Sequence, residues 1–437
     1  MNRKTLLSAL ISSVLFIASA FAQPLPVYRW ASNAADSTFN NNPSETVVSP
    51  IELTVPHCGR YTLVAVYTTG EDTAERSVWA LDYGAEGSNG LTTRRLSYGG
   101  YTSQYDSVNR RGPVINSLMQ SSPVDDTLLA PDSVTLRIGG DTSAGSGLRT
   151  AEVMYFDRRL GFSALRKVQT HLAVKYGVTL GAGDYVAPDG RRVWVYRRDS
   201  TWHHRITGVG VDSVYGLRQL TSRSGHDGAV LTIMADSLRE GEYCIIGDDG
   251  EPMEYAEDSL YGMEVLQRTW KARVTRNGDT ASADMAPTFR LAFSMQGTGA
   301  EGDTMALLVD GVMYWPDSVK NGNVYFSRVA FPSDTALLQL AKTQMIEITG
   351  RSATMTHGTE TSVTMYPNPC RGRYTVTVGG CGSVDIEVHN ALGVKVGWFS
   401  GNDRGMYRFD GEVPSAGVYF ITVTADGEKR TLKMVAE

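Results

Sequence analysis

Cysteine is nearly missing from this chain, with four in 437 residues. That is too few for a disulfide scaffold. Cys370 and Cys381 look paired by spacing, but Arg373 to Val378 reads as a strand between them. At about 3.3 Å per residue such a strand sets their Cα atoms more than about 20 Å apart, whereas a disulfide spans about 4.4–6.8 Å. Cys244, inside Tyr243-Cys244-Ile245-Ile246, reads as a buried apolar residue. Long apolar runs are equally scarce. After Leu6 to Ala18 none approaches the roughly 20 residues a helix needs to cross a bilayer. No basic stripe with interleaved aromatics appears, which excludes nucleic acid as a partner.

Catalytic signatures are also missing. There is no H-E-x-x-H, G-x-S-x-G or P-loop pattern. His203 and His204 are adjacent on an expected strand and point to opposite faces, so they cannot chelate one metal together. Asp248-Asp249-Gly250-Glu251 with Glu254 lacks the alternating ligands of an EF-hand and reads as a solvated acidic turn. His57 beside Cys58 is not a catalytic dyad, because such partners approach from distant segments. No catalytic, cofactor-binding or metal-ligating residue is assigned, and no cofactor is expected. A glycosidase carboxylate pair needs no local motif, so a surface hydrolase is the alternative to a non-enzymatic reading.

What is present begins with an export leader. Arg3 and Lys4 precede the apolar run, and Ala20-Phe21-Ala22 offers the small–x–small pattern of signal-peptidase sites, so cleavage is expected between Ala22 and Gln23. The mature chain then holds 39 basic against 47 acidic residues. Its length implies two to four domains. Short β-branched and aromatic runs recur between Gly-, Asn- and Asp-rich turns, among them Tyr61–Tyr67, Ser133–Ile138 and Glu152–Phe156, the spacing of a sandwich. One helix is expected, with Ser163 as N-cap, Leu165, Val168, Leu172 and Tyr176 on one face, and Gly177 as its stop. Strands resume from Arg192 to Val329.

The fold class is therefore all-β, in tandem sandwiches with one short linking helix. Residues 1–22 form the leader, 23–160 a first sandwich, 161–345 the helix with a second β-rich domain, 346–362 a polar linker, and 363–437 a last sandwich.

That last block carries an ordered series. Tyr366-Pro367-Asn368-Pro369 and Gly372 open it, Leu392-Gly393 lie at its centre, Gly417 and Tyr419 come late, and Lys429 and Lys433 mark a basic final strand. Read from the residues alone it is an Ig-like sandwich with rigid turns. The whole series resembles the C-terminal sorting domain of type IX secretion cargo. The resemblance implies recognition by the translocon, removal of the block by a sortase-like protease, and attachment of the cargo to anionic lipopolysaccharide at the outer membrane surface. It implies a Gram-negative host and a cell-surface or secreted location after periplasmic transit.

In the body, Thr150–Asp157 followed by Val168–Gly177 resembles the close of laminin-G or concanavalin-like jelly-roll modules in surface proteins of the same bacteria, with His171 where those have tyrosine. Ile206–Asp212 and Arg268–Val274 resemble segments that follow. That likeness implies an adhesin, binding an extracellular glycan or protein, or a structural or signalling cargo without a small ligand.

A tripeptide, Asp followed by Ser or Thr and then Ala, Ile, Leu, Met, Val or Thr, recurs thirteen times; composition alone gives about two. The hydroxyl residues are Ser37, Thr73, Ser107, Thr127, Ser133, Ser200, Ser213, Ser237, Ser259, Thr280, Thr304, Ser318 and Thr335, all ahead of the last block. Asp-led turns before strands account for part of the excess. The pattern also resembles the O-glycosylation sequon of the same bacteria.

Overall fold

Inward–outward alternation marks several strands of this protein. In Ser133–Ile138, for example, Val134, Leu136 and Ile138 are buried while Ser133 and Arg137 face water, the period-two pattern of a half-buried strand. The computed structural model describes residues 23–437 apart from 35–37, 70–73, 85–86, 105–111, 122–131, 141–146, 259–262, 277–286, 300–303, 315, 332, 344–361 and 402–404. The protein is all-β in tandem antiparallel sandwiches, with two units, Met1–Ile346 and Glu347–Glu437.

In the first unit, a four-stranded sheet runs in the order Tyr28–Ala31, Arg149–Phe156, Arg60–Thr68, Val114–Ser121. It faces a six-stranded sheet built from Ile51–Pro56, Ser133–Ile138, Ser77–Asp82 and the three strands from Ser88 to Gln104. Tyr61, Leu63, Trp79, Leu81, Leu136 and Tyr155 fill the space between them. Further along the chain, the long strand Met263–Thr275 lies between Tyr243–Asp248 and Thr335–Thr343 in one sheet. Opposite it, Leu231–Ala235, Thr288–Ser294 and Asn323–Ala330 form the other. Ile233, Cys244, Trp270, Phe293, Phe326 and Leu338 make that core.

Several strands escape simple alternation, Arg149–Phe156 among them. Arg60–Thr68 and Tyr243–Asp248 are buried on both faces. Leu63 and Ala65 point into the first sandwich, whereas Val64 and Val66 point the other way, to a middle core. Cys244 and Ile246 likewise serve the second sandwich, and Tyr243 and Ile245 the middle core. Between these strands lies the helix Phe162–Tyr176, whose Leu165, Val168, Leu172 and Tyr176 fill the gap. The helix does more than link; it is the filling of a core to which both sandwiches contribute. This explains why Tyr61–Tyr67 and Tyr243–Ile246 are continuous apolar runs in antiparallel sheets. Gly208 and Gly210 make room for it. A Cβ on either would sit 2.4 Å from Ile245 Cδ1 or Tyr243 Cδ1.

The helix ends at Gly177 in the left-handed conformation (φ 68°), as its sequence predicts, but it starts differently. Gly161, not Ser163, is the N-cap; its carbonyl accepts from Leu165 N–H at 2.9 Å and no side chain caps the end. At the other end two asparagines from Thr38–Pro43 take over the orphan carbonyls. Asn40 Nδ2 donates to Val174 O (3.2 Å) and Lys175 O (3.1 Å), and Asn42 Nδ2 to Lys175 O (2.6 Å). Asn40 Oδ1 also accepts from Arg223 N–H at 2.7 Å, so this clip fastens helix and second sandwich together.

The second unit is a smaller sandwich. Ser362–Tyr366, Arg373–Cys381 and Gly405–Glu412 form one sheet; Lys395–Gly401, Val384–Asn390, Gly417–Ala425 and Glu428–Ala436 form the other. Cys370, Val376, Ile386, Ile421 and Met434 are among its core residues. The strand expected between Cys370 and Cys381 is present, and both thiols are buried and free.

Candidate functional site

The sorting-motif residues divide by what they touch. Asn368 is bonded to the final strand like a strand residue: its Oδ1 accepts from Val435 N–H (2.8 Å) and its Nδ2 donates to Lys433 O (2.9 Å). Two residues on, Cys370 N–H donates to Val435 O and Glu437 N–H to Cys370 O, both at 2.8 Å. The opening Tyr366-Pro367-Asn368-Pro369, with cis bonds before both prolines, thus leads into the last strand. Gly372 (φ 81°) and Gly393 (φ 78°) hold left-handed turns that other residues rarely adopt. Around Gly393, Asn390 Oδ1 accepts from the N–H groups of Leu392 (3.0 Å) and Val394 (2.9 Å). Tyr419 is buried, and its hydroxyl donates to Ser415 O at 2.8 Å, four residues upstream. This contact has the form of the tyrosine corner of Ig-like sandwiches, and Gly417 sits on the short loop it closes.

Leu392, Lys429 and Lys433 do none of this. Leu392 is 88% exposed. Both lysines are exposed, and neither has an ion-pair partner among the described residues. Most of the motif builds the fold; three of its residues are displayed by it.

The tripeptide sites lie at the ends of elements. Ser133, Thr304, Ser318 and Thr335 are each the first residue of a strand; Ser200 opens a single helical turn, Ser213 directly follows a strand, and Ser237 lies two residues beyond one. Ser133, Ser200, Ser213 and Ser237 are exposed, while Ser318 and Thr335 are partly so. Several of the aspartates have turn duties: Asp212 Oδ1 accepts from Tyr215 N–H at 2.9 Å, and Asp317 Oδ2 accepts from Ser327 N–H. Ser37, Thr73, Ser107, Thr127, Ser259 and Thr280 lie outside the described residues, as does Ala22; Gln23 is the first residue described.

The remaining candidates of the body are structural. His203 is buried, with Nδ1 accepting from Trp194 Nε1 at 3.0 Å, while His204 is exposed. In the acidic turn, Asp248 is bound by the Arg205 guanidinium, and Asp249 Oδ2 accepts from the Thr269 hydroxyl at 2.6 Å. Burial pushes the Cys244 thiol up, away from reactivity. His57 lies against the ring of Tyr83, with centroids 5.1 Å apart.

One buried cluster went unread in the sequence. Glu152, 1% exposed, faces the helix and accepts from Arg29 Nε (2.5 Å), Lys175 Nζ (2.8 Å) and Tyr176 OH (2.7 Å). Burial alone would raise its carboxyl, but Lys175 and Arg29 outweigh burial and hold it below the usual range. His171 Nε2 lies 3.3 Å from Arg29, and burial drives its imidazole down to about 3, so it is neutral. The one available signal was a lone acid in the apolar run Glu152–Phe156. Its partners come from segments up to 123 residues away.

The molecule is a tandem β-sandwich chain ending in an Ig-like block whose motif is mostly architecture and partly display. Residues 364–437 match the family model described as Secretion system C-terminal sorting domain. The protein is accordingly a type IX secretion cargo, exported to the cell surface or released, and its last block engages the export machinery. Residues 164–337 match a model described as Domain of unknown function (DUF8202). No curated protein matches. Among solved structures the chain is similar to dimeric latent PorU from Porphyromonas gingivalis, at 11% identity over 89% of this chain and 31% of that one, with a TM-score of 0.16. It is similar to a polysaccharide lyase at 10% identity, over 53% of this chain and 39% of that one, TM-score 0.15. For Tp47, the 47-kilodalton lipoprotein of Treponema pallidum, the figures are 8%, 89%, 90% and 0.13. The chain spans well under half of the first two, and likeness at such scores carries no functional weight.

Proposed function

We propose that the body, residues 23–345, is a non-enzymatic adhesin or glycan- or protein-binding module, built on a laminin-G-like sandwich and held at the outer membrane surface. A signal peptide cleaved between Ala22 and Gln23 takes the chain to the periplasm. The sortase-like protease removes the sorting block within 346–362, and the body is joined to anionic lipopolysaccharide. The candidate tripeptides carry O-linked sugar. The observation behind the non-enzymatic reading is the fate of the body's buried carboxylates. Among the described residues, Glu152, Asp199 and Asp248 are each held by arginine or lysine in structural ion pairs, while Asp212 accepts from Tyr215 N–H and the Tyr243 hydroxyl and Glu242 from Arg239 N–H, so all five have structural partners.

A glycan array and a surface-protein pull-down with residues 23–345 test this; binding without turnover is the expected result. Removing Val363 to Glu437 strands the protein in the periplasm, and the intact mass of surface protein ends within 346–362. Glycopeptide mapping of protein from its native host finds sugar on the tripeptide hydroxyls and none on the released block. Asp→Glu changes at single sites abolish it.

One observation favours a second reading, a surface glycan hydrolase. Asp236 and Asp317 line one depression of about 540 Å³ together with Arg290 and Arg328. Release of reducing ends from a glycan panel, abolished by Asp236→Asn or Asp317→Asn, would replace the adhesin reading.

A further inference from the structure

We infer that the export machinery grips this cargo on the outer face of the four-stranded sheet of the terminal sandwich. The inference rests on residues 364–437 being a sorting domain, and it names the surface that is read.

The two outer faces of this sandwich differ in kind. On the three-stranded sheet the outward side chains satisfy one another. Thr364 and Thr377 share a hydrogen bond across the strands, Thr375 donates to Asp410 at 2.6 Å, and Arg373 pairs with Glu412 at 2.6 Å. That face is polar and paired off against itself.

On the four-stranded sheet, register fixes what points outward. Trp398, Glu387, Thr422 and Thr431 form one cross-strand row; His389, Phe420 and Lys433 form the next. Asp385, Thr424 and Lys429 form the row on the other side. Trp398 is 68% and Phe420 40% exposed, and Leu392 and Val394 stand bare in the turn that joins two of these strands. Across this face Lys395 pairs with Glu387 and the Thr422 and Thr431 hydroxyls share a hydrogen bond at 3.1 Å, whereas Lys429 and Lys433 have no ion-pair partner among the described residues. An indole and a phenyl ring on one sheet face, with two bare aliphatic side chains in the turn between its strands, are apolar exposure of the kind that marks an interaction site. The motif residues that do no folding work, Leu392, Lys429 and Lys433, are the ones gathered here.

The occupant this face fits is a protein surface of the translocon with an apolar hollow for Trp398 and carboxylates facing the two lysines. Aromatic anchors commonly dominate such contacts, while unpaired rim lysines steer approach.

The test uses the full chain in its native host. One variant replaces Leu392, Trp398 and Phe420 with serine. A second carries Lys429→Glu and Lys433→Glu, positions so exposed that folding is untouched. A control replaces Arg373 and Arg408, on the paired face, with serine. Both face variants should lose surface protein by about tenfold or more and accumulate in the periplasm, as loss of an anchor predicts. Their melting temperatures should stay within about 2 °C of the parent, and the control should be exported normally. Normal export of both face variants, or equal loss in the control, overturns the inference. Deleting Val363 to Glu437 separates the two levels: if the deleted chain still reaches the surface, the sorting reading itself fails.

Discussion

The two units of this protein handle polar groups in opposite ways. Among the described residues of the terminal sandwich, Thr375 is the one polar side chain that is buried. The first unit buries Glu152, Asp199, Asp248, Arg268, Arg273, His171 and His203, among others. The charge balance differs as well: residues 363–437 hold eight basic and eight acidic groups, so the acidic excess of the chain belongs to the segment before them. A buried ionic network is weak evidence of stability but makes its members interdependent. The first unit is thus sensitive to loss of single charges and to pH. The terminal sandwich, with an apolar core and charges in water, is insensitive to both. A domain that must be recognised by the export machinery needs a robust fold and a legible surface, and little else.

The largest effect should come from Glu152→Ala. It strands the charges of Arg29 and Lys175 around a buried gap, a loss of about 3–5 kcal/mol, read as an earlier urea transition of the first unit while that of the terminal sandwich stays put. Acidification should separate the units next. The His171 imidazole is depressed when folded, so the unfolded chain takes up the proton first and stability falls as pH drops below about 6.5. At pH 5 the loss is about 2 kcal/mol. His171→Phe should reduce this limb, leaving the contributions of His203 and His226, whose imidazoles burial also lowers, and that of Glu152, which declines only below the ordinary carboxylate range. Thermal melts between pH 7 and 4.5 read the histidine limb, and melts continued to about pH 3 read the carboxylate one. Asn40→Ala, which removes the clip on the helix end, should cost the first unit about 1–2 kcal/mol. Tyr419→Phe, losing the bond to Ser415, should cost the terminal sandwich about 1 kcal/mol. Trp398→Ser should change stability by less than about 0.5 kcal/mol; a larger loss would mean the exposed indole has a folding role and would blur the contrast.

Where alternation is clean, the fold could be read directly. Arg373 to Val378 falls inside the observed strand Arg373–Cys381, and Ser133–Ile138 is a strand with those bounds, because a one-sided strand writes its burial into every second residue. The helix was legible from its periodicity, though its N-cap was misplaced by two residues, since a glycine with no side-chain bond leaves no polar signature. The doubly buried strands were recognised as strands, but a continuous apolar run does not say that two cores lie on either side of it. The Asn40–Asn42 clip and the Glu152 cluster were invisible for a different reason. Each joins segments more than a hundred residues apart, and local pattern carries no record of such meetings. In the site, the residues that make turns were readable as a motif. The division between those that fold and those that face outward required exposure, which no motif contains.

The middle core has a bearing on inheritance. The model of unknown function begins inside the helix and stops within the strand Thr335–Thr343, a border set by where sequences resemble one another. Oil draws a different border. A gene fragment cut at 164–337 would carry Leu165, Tyr243 and Ile245 out of their shared interior and into water, since Val64, Val66 and Met154, their neighbours in that core, belong to the stretch left behind. Recombination that moves the recognisable segment alone would deliver an adhesive patch instead of a soluble part. The piece that can be shuffled between chains is therefore the larger one, both sandwiches with the helix between them.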